Sequence, residues 1–211
     1  MHQFEKLVSY RDCGYEGVDQ LLWVTADRGA YGSVETGPLR DWIQGVEFFI
    51  SKVKNFEVVV QAGGNCGMYA RFYRNYFDEV YTFEPDPLNY YCLDRNCVGT
   101  GFNKYLGGLG NTTSKLTITR PNRNNVGTHR IQDTPGPIQM YRIDDLRLSS
   151  CDLIHLDVEG YEEQVIDGAI KTIENFKPVV IIERNAGSEK LKSLGYKKYK
   201  KTFLDTIYHP V

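Results

Sequence analysis

Three short segments of the chain combine glycine with carboxylate side chains, a combination that can bind a nucleoside. The segments are QAGGNCG (61–67), FEPDP (83–87) and LDVEGYE (156–162). Glycine lets the backbone turn sharply and approach a ligand closely. A carboxylate can accept hydrogen bonds from both hydroxyls of a ribose. These segments are therefore the candidate sites of binding and chemistry.

The first two segments indicate a nucleoside pocket only when they are taken together. The glycines have the spacing Gly63-x-x-x-Gly67, whereas a pyrophosphate-binding turn needs G-x-G-x-x-G. Alone, such a turn is also an ordinary strand-to-helix connection, and Glu84 alone could be a surface charge. Glu84 follows Gly63 by 21 positions, where a ribose-binding acid is expected in an α/β nucleotide fold.

The third segment places several acids beside the expected ligand. Such crowding is unfavourable unless positive charge lies near. The sulfonium and α-amino group of S-adenosylmethionine would supply that charge, and a metal ion is the alternative source. Favourable acids at a helix N-terminus would explain Glu162 and Glu163, but they explain Asp157 less well because it lies within the strand.

The order of apolar segments predicts the elements that position these residues. Short apolar runs at 56–61, 79–84, 102–106, 152–158 and 178–183 are typical of parallel strands covered on both faces, and helical stripes separate several of them. We therefore predict an α/β fold with a doubly wound, mostly parallel sheet, closed by an antiparallel hairpin from 196–200 and 202–208. The ligand should lie beyond the carboxyl ends of the strands.

Two regions give weaker patterns. Residues 1–37 read as a loop-rich segment, with 26–38 as a candidate lid, and residues 38–211 as the main domain. An amphipathic stripe at 39–53 predicts a helix. Between 107 and 137 we predict loop, apart from one extra strand at 115–119.

Composition excludes several classes of protein. The chain has 211 residues, a net charge of -2 and 41% hydrophobic residues, which suits one globular domain. We expect no nucleic-acid partner, because the chain has no broad basic character. The C-terminal lysines form a solvated face or steer an anionic acceptor. Five irregularly spaced cysteines without zinc spacing predict no structural zinc site, and no metal ligands are assigned. The absence of a signal-like or membrane-length apolar run predicts a cytoplasmic protein with no membrane contact.

The motifs VVVQAGGNCG, FEPDP, IHLDVEGYEEQVIDGA and VVIIE resemble the FkbM family of class I S-adenosylmethionine-dependent methyltransferases over about residues 56–185. The resemblance implies that Gly63, Asn65 and Gly67 shape the methionine and ribose end of the cofactor pocket, and that Glu84 holds the ribose. It also implies that the segment 157–160 faces the reacting centre.

The predicted cofactor-binding set follows from these motifs and the strand ends: Gln61, Gly63, Gly64, Asn65, Gly67, Glu84, Pro85, Gly108, Leu109 and Asp157. Gln61 departs from the family pattern, which often has an acid there, and gives up a negative charge near the methionine ammonium. The segment 125–128 resembles an Asn-Gly segment of the family, as a border of the acceptor pocket or as an ordinary turn.

The resemblance implies O-methylation of a hydroxyl on a sugar, glycan or other small molecule. A base near that hydroxyl is needed, and the candidates are Asp157, Glu159 and His155, although a histidine within a central strand is more typical of the core. Two alternatives remain. One is a nicotinamide-dependent oxidoreductase, against which the glycine spacing counts, and the other is a catalytically silent nucleoside-binding module.

Overall fold

The central sheet has the predicted doubly wound architecture. The computed structural model describes residues 3–15, 18–29, 47, 48, 50–122, 124–184, 186–201 and 205–211. Seven strands lie in the order β12-β13-β11-β10-β3-β4-β5. Their bounds are Val58–Ala62 (β3), Glu79–Glu84 (β4), Phe102–Leu106 (β5), Leu153–Leu156 (β10), Val179–Glu183 (β11), Tyr196–Lys201 (β12) and Asp205–Pro210 (β13).

The five strands from β11 to β5 are parallel. In the C-terminal hairpin, β13 pairs antiparallel with β11, and β12 pairs antiparallel with β13. Strands β3, β10 and β11 are buried along their whole length. A strand buried on both faces reads as a continuous apolar run, which is why the sequence locates these strands well. The fold class predicted from the sequence is confirmed.

Five helices are described, and two hydrophobic clusters form the core on the two faces of the sheet. One cluster includes α1 (Met68–Tyr73) and α2 (Pro87–Asn96). The other includes α3 (Glu162–Asp167), α4 (Ile170–Phe176) and α5 (Ser188–Ser193). Asp86 begins α2 because its side chain accepts hydrogen bonds from the N–H groups of Leu88 and Asn89.

The N-terminal segment contains a hairpin where the sequence suggested loop. Strands β1 (Val8–Tyr15) and β2 (Val18–Val24) pair antiparallel. The side chain of Asn96 fixes β2 to the fold, since it accepts a hydrogen bond from Leu22 N and donates to Leu22 O, both at 2.8 Å. The hairpin is therefore fixed to the fold by a contact between residues 74 positions apart, which a local sequence pattern cannot predict.

The region between β5 and β10 also holds more structure than predicted. Strands β6 (Gly108–Leu109), β7 (Lys115–Thr119), β8 (Arg130–Pro135) and β9 (Ile138–Tyr141) form a small sheet in the order β6-β9-β7-β8. The predicted extra strand is β7. The loop prediction was wrong for β8, whose largely exposed, polar residues lack an apolar pattern.

Parts of three predictions lie outside the described residues: the candidate lid beyond residue 29, residues 202–204 of the predicted hairpin, and most of the helix at 39–53. Of that helix, residues 47, 48 and 50 are described as helical. Among the described residues, no helix is both long and apolar enough to cross a membrane. The cytoplasmic location stays a prediction.

Candidate active site

A cavity of about 220 Å³ lies beyond the carboxyl ends of the parallel strands. It brings together eight of the residues predicted from the sequence: Gly63, Asn65, Glu84, Pro85, Gly108, Leu109, Asp157 and Glu159. Gly64 lines an adjoining recess of about 20 Å³, which shares Gly63, Asn65 and Asp157 with the main cavity. The separate motifs therefore meet at one place, as the fold requires.

The glycine turn after β3 needs its first glycine. Gly63 has φ +82°, and a Cβ atom built there would lie 1.8 Å from the carbonyl oxygen of Asp157. No side chain can be accommodated at that distance. Gly63 therefore allows β3 and β10 to end side by side, which places the turn against Asp157.

Glu84 points into the turn. Its Oε2 accepts a hydrogen bond from Asn65 N at 2.7 Å, and its Oε1 accepts one from Asp86 N at 2.8 Å. Burial raises the pKa of Glu84 to about 8, although the hydrogen bond from Asp86 N acts in the opposite direction. The carboxyl group lies at the cavity wall, where the Asn89 side chain also donates to it, and it keeps acceptor capacity for one further donor.

Acidic side chains gather on the opposite side of the glycine turn. Asp157, Glu159 and Glu183 each offer a carboxylate oxygen, and these atoms lie within 4.8 Å of one another. Asp205 faces Glu183 across the β11/β13 ladder. Burial, then the charge of Glu183, raises the pKa of Asp205 to about 7.

The pKa of Asp157 is raised well above its usual range by burial and then by the charges of Glu183, Asp205 and Glu159. Carboxylates at this separation share protons or require a compensating cation. Arg130 and Arg184 partly supply it, at 3.6 Å from Glu159 and 3.2 Å from Glu183. The sequence analysis missed Glu183 and Asp205. Glu183 could have been found, because it ends a buried strand at the ligand edge.

His155 does not reach the cavity. Its ring is 1% exposed, and Nδ1 lies 2.8 Å from the hydroxyl of Tyr73 in the core. Burial lowers the pKa of His155 to about 3, so the ring is neutral near pH 7. The prediction of His155 as a candidate base is therefore corrected: it is a core residue whose Nδ1 has a hydrogen-bond partner.

Gln61 and Gly67 shape the turn from outside the cavity. Gln61 is fully buried, and its Nε2 donates to Gly63 O at 2.8 Å. A Cβ atom at Gly67 would lie 2.8 Å from the sulfur of Cys97 and 3.2 Å from the Cα of Leu93. Gly67 thus allows the turn to pack against α2. Both positions support the site without lining it.

Three residues of the cavity wall have left-handed backbone conformations that side chains rarely adopt: Asn65, Glu159 and Arg184, with φ of 45°, 54° and 59°. Such conformations cost on the order of 1–3 kcal/mol each, and they are held by the surrounding structure. Their presence around one cavity is typical of a functional site.

Residues 58–198 match the sequence profile of the family described as "Methyltransferase FkbM domain". The chain belongs to the FkbM methyltransferase family. The family predicted from the sequence motifs is confirmed, and residues 58–198 form its methyltransferase domain.

Solved structures agree with this methyltransferase fold. The crystal structure of methyltransferase FkbM from Methylobacillus flagellatus has a TM-score of 0.50 and 17% identity, with 87% of this chain and 55% of that chain covered. This chain thus spans about half the length of that protein. A SAM-dependent methyltransferase from Leishmania major has a TM-score of 0.50 and 12% identity, with 87% and 78% covered. A search of curated proteins finds no match.

The residues of this FkbM-family chain fit a methyl donor with an adenosyl group and a positive charge. Glu84 is aimed at the turn and the cavity rather than at solvent. Three clustered carboxylates lie at the other side of the same turn. A wall of apolar residues between them, including Leu109, Ile131 and Val158, would exclude water.

The loop after β7 supplies the segment 125–128, which the sequence offered as a pocket border or an ordinary turn, and also His129, which the sequence analysis did not assign. Residues 125–129 line the cavity, and Asn89 Nδ2 donates to Val126 O at 3.1 Å, which fixes the loop to α2. Asp27 fixes the other side, accepting from Val126 N at 3.3 Å and from Trp23 Nε1 at 2.8 Å. The N-terminal hairpin therefore helps to hold the cavity wall.

Proposed function

We propose that the chain binds S-adenosylmethionine in this cavity and transfers its methyl group to a hydroxyl of a sugar or another small molecule. The observation that supports this most is the convergence of a nucleoside-type carboxylate, a glycine turn and an acidic cluster on one cavity. Family membership speaks against the nicotinamide alternative. Measured methyl transfer would distinguish an active enzyme from a catalytically silent nucleoside-binding module.

Glu84 would hold the ribose. Its two oxygens already accept from Asn65 N and Asp86 N, which fixes their direction, and the carboxylate keeps acceptor capacity for a ribose hydroxyl beside the Asn89 side chain. Gly63 and Asn65 would lie against the methionine part, in the recess that they share with Asp157. When bound, S-adenosylmethionine supplies an electrophilic methyl group and a positive charge.

Asp157 and Glu159 are the residues proposed to act on the acceptor. Both line the cavity, and Asp157 also borders the recess for the methionine part. A carboxylate in contact with the acceptor hydroxyl would orient its oxygen and accept its proton as the new bond forms. Glu183, within reach of both, would share that proton.

The wall of the cavity would protect the reaction from water. Tyr161 donates to Asp133 at 2.5 Å, and this bond joins the start of α3 to strand β8 of the small sheet. Ile131 on the same strand lines the cavity. Strand β8 would thus cover the site without taking part in the chemistry.

Labelled methyl transfer tests the proposal. The protein is incubated with S-adenosyl-[methyl-³H]methionine and a panel of sugars, glycosides and phenols, and both S-adenosylhomocysteine and labelled product are measured. We expect product with at least one hydroxylated acceptor, and a fall of about a hundredfold in Asp157→Asn.

Glu174→Gln is the matched control, because Glu174 is an exposed acid on α4 far in the fold from the cavity wall. It should keep the wild-type rate. Binding of S-adenosylhomocysteine without transfer to any acceptor would favour the silent module, and the absence of binding would refute the cofactor assignment. Full turnover in Asp157→Asn would remove Asp157 from the reaction.

A further inference from the structure

One ring in the cavity is held by a buried carboxylate outside the acidic cluster. His129 follows the 3₁₀ turn Val126–Thr128 and lines the cavity, with its side chain 8% exposed. Its buried Nδ1 lies 3.2 Å from Asp86 Oδ2, an ion-pair distance, without meeting the geometry of a hydrogen bond. The family motifs in the sequence do not include this histidine, and the proposed function above assigns it no role.

Asp86 is built to hold the ring in place. Its side chain is nearly inaccessible, and Oδ1 caps helix α2 by accepting from Leu88 N at 2.8 Å. Oδ2 accepts from Arg120 Nε at 2.6 Å and faces His129. Burial alone would raise the pKa of Asp86, but the interactions with His129 and Arg120 lower it to about 2. The group is therefore ionised throughout the neutral range.

In the neutral form of the ring, an ionised carboxylate beside Nδ1 favours the tautomer with the proton on Nδ1, which leaves a lone pair on Nε2. Among the described residues, no hydrogen bond to Nε2 is found, while Nδ1 is buried and has the Asp86 carboxylate at ion-pair distance without an aligned hydrogen bond. A ring fixed at one nitrogen, with an open acceptor at the other, is suited to receive a hydrogen bond from a ligand.

The position of the ring indicates which part of a ligand it would meet. Asp86 N donates to Glu84 Oε1 at 2.8 Å, so the carboxylate that holds His129 is attached to the ribose-binding side. The next residue, Arg130, reaches in the other direction to Glu159 at 3.6 Å. His129 is therefore on the Glu84 side of the cavity and Arg130 on the side of the acidic cluster.

We propose that His129 binds the nucleoside of the methyl donor, accepting at Nε2 a hydrogen bond from the adenine amine or a ribose hydroxyl, and that Asp86 positions the ring. The inference rests on the proposed function, because it assumes the same ligand in the same cavity. His129 would then favour adenosyl compounds over analogues that lack the amine or hydroxyl bound by Nε2. Such an analogue would leave Nε2 without a hydrogen bond in a closed site, which is unfavourable.

Calorimetric titration tests this on the intact chain. The dissociation constant of S-adenosylhomocysteine is measured for wild type, His129→Ala and His129→Gln. We expect Kd to rise about tenfold in His129→Ala. His129→Gln should restore most of the affinity, because its amide can donate to Asp86 and present an oxygen acceptor. The rate at saturating donor should change less than about threefold in both variants.

Two analogues identify the group that is recognised. S-inosylhomocysteine lacks the amine, and S-(2′-deoxyadenosyl)homocysteine lacks one hydroxyl. The analogue without the recognised group should bind wild type more weakly and bind His129→Ala with no additional loss. His209→Ala is the control, because His209 is a half-buried histidine on β13, at the other edge of the sheet.

The possible results separate the two proposals. If wild type fails to bind S-adenosylhomocysteine, the proposed function fails. If wild type binds it and His129→Ala binds it and both analogues as wild type does, only the inference about His129 fails. A large loss of rate with unchanged Kd would also refute it, because His129 would then act on the acceptor.

Discussion

The affinity of the site for adenosyl ligands should depend on pH through Glu84. A ribose hydroxyl that donates to Glu84, beside the protein donors already there, needs an ionised carboxylate, yet burial raises the pKa of Glu84 to about 8 in the ligand-free protein. The apparent Kd then equals the intrinsic Kd divided by the ionised fraction, which is about 1% at pH 6 and about 75% at pH 8.5. We therefore expect affinity to increase by nearly two orders of magnitude over this range.

The ligand for this assay is 5′-methylthioadenosine, which keeps the nucleoside but has no group that titrates in the range. Titration calorimetry at half-unit steps from pH 6 to 8.5, in buffers of matched ionic strength, gives Kd directly. Proton release changes with pH, so each point is measured in two buffers of different ionisation enthalpy. Because Kd falls as Glu84 becomes ionised, the slope of log Kd against pH should approach about −1 below pH 7.

Two variants show whether Glu84 causes the slope. Glu84→Gln should bind weakly and without the slope, because one amide oxygen cannot serve both Asn65 N and Asp86 N as well as a ribose. Glu174→Gln, on the surface of α4, should keep the wild-type slope. A flat wild-type profile, or the same slope in Glu84→Gln, would refute the reasoning.

The raised pKa of Glu84 also determines how the stability of the ligand-free protein changes with pH. The folded-state pKa of Glu84 is about 8, above the ordinary value of 4.5, so the folded protein binds more protons than the unfolded chain between these values. Stability from this group is complete below about pH 4.5 and lost as pH rises through 8. Asp205, with a pKa raised to about 7, has the same sign. The Tm of the ligand-free protein should fall from pH 5.5 to pH 8, as differential scanning fluorimetry can show.

Three further predictions concern single residues. Asp157→Asn should raise Tm at pH 8 in a thermal scan while it lowers methyl transfer, because the substitution removes one charge from a crowded cluster; a lower Tm would contradict this account. Gly63→Ala should reduce the urea midpoint far more than Gly99→Ala. Both glycines have positive φ, but a Cβ meets the Asp157 carbonyl at 1.8 Å in the first and nothing within 4 Å in the second, so equal losses would refute the steric explanation. His155→Leu should destabilise by about 1–3 kcal/mol in urea unfolding, since the Tyr73 hydroxyl loses its partner, and leave kcat unchanged; a large loss of kcat would return His155 to the site.

Strands and site motifs could be predicted from the sequence where the local residue pattern reflects the position of the segment in the fold. The runs at 79–84, 102–106 and 115–119 coincide with β4, β5 and β7 to the residue. In the central strands β3, β10 and β11, burial on both faces produces the continuous apolar run. Strand β7 lies outside the central sheet, is only partly buried, and was found by its alternating pattern instead. The site motifs were found for a related reason, since the ends of parallel strands meet at one edge and bring distant segments together.

The remaining structure depends on contacts that no local pattern records. Strand β2 is fixed by Asn96, 74 positions later. His129 was not found because a loop histidine becomes interesting only when Asp86 is seen beside it. Asp205 enters the acidic cluster through its register with Glu183 across an antiparallel ladder. Antiparallel register depends on a turn and on side-chain packing, and the sequence alone did not settle either.

Gln61 shows how a departure from the family pattern can be explained by the structure. Its Oε1 accepts from the Thr82 hydroxyl at 2.6 Å, and its Nε2 donates to Gly63 O at 2.8 Å. An acid at this position could not donate, so it would leave the Gly63 carbonyl facing a negative charge at the turn that holds the ligand. The same edge of the sheet already carries the acidic cluster with Asp157, where crowding raises the pKa. One more buried carboxylate would add repulsion, so a neutral amide suits this site, and the charge that meets a cationic ligand comes from the ends of β10 and β11.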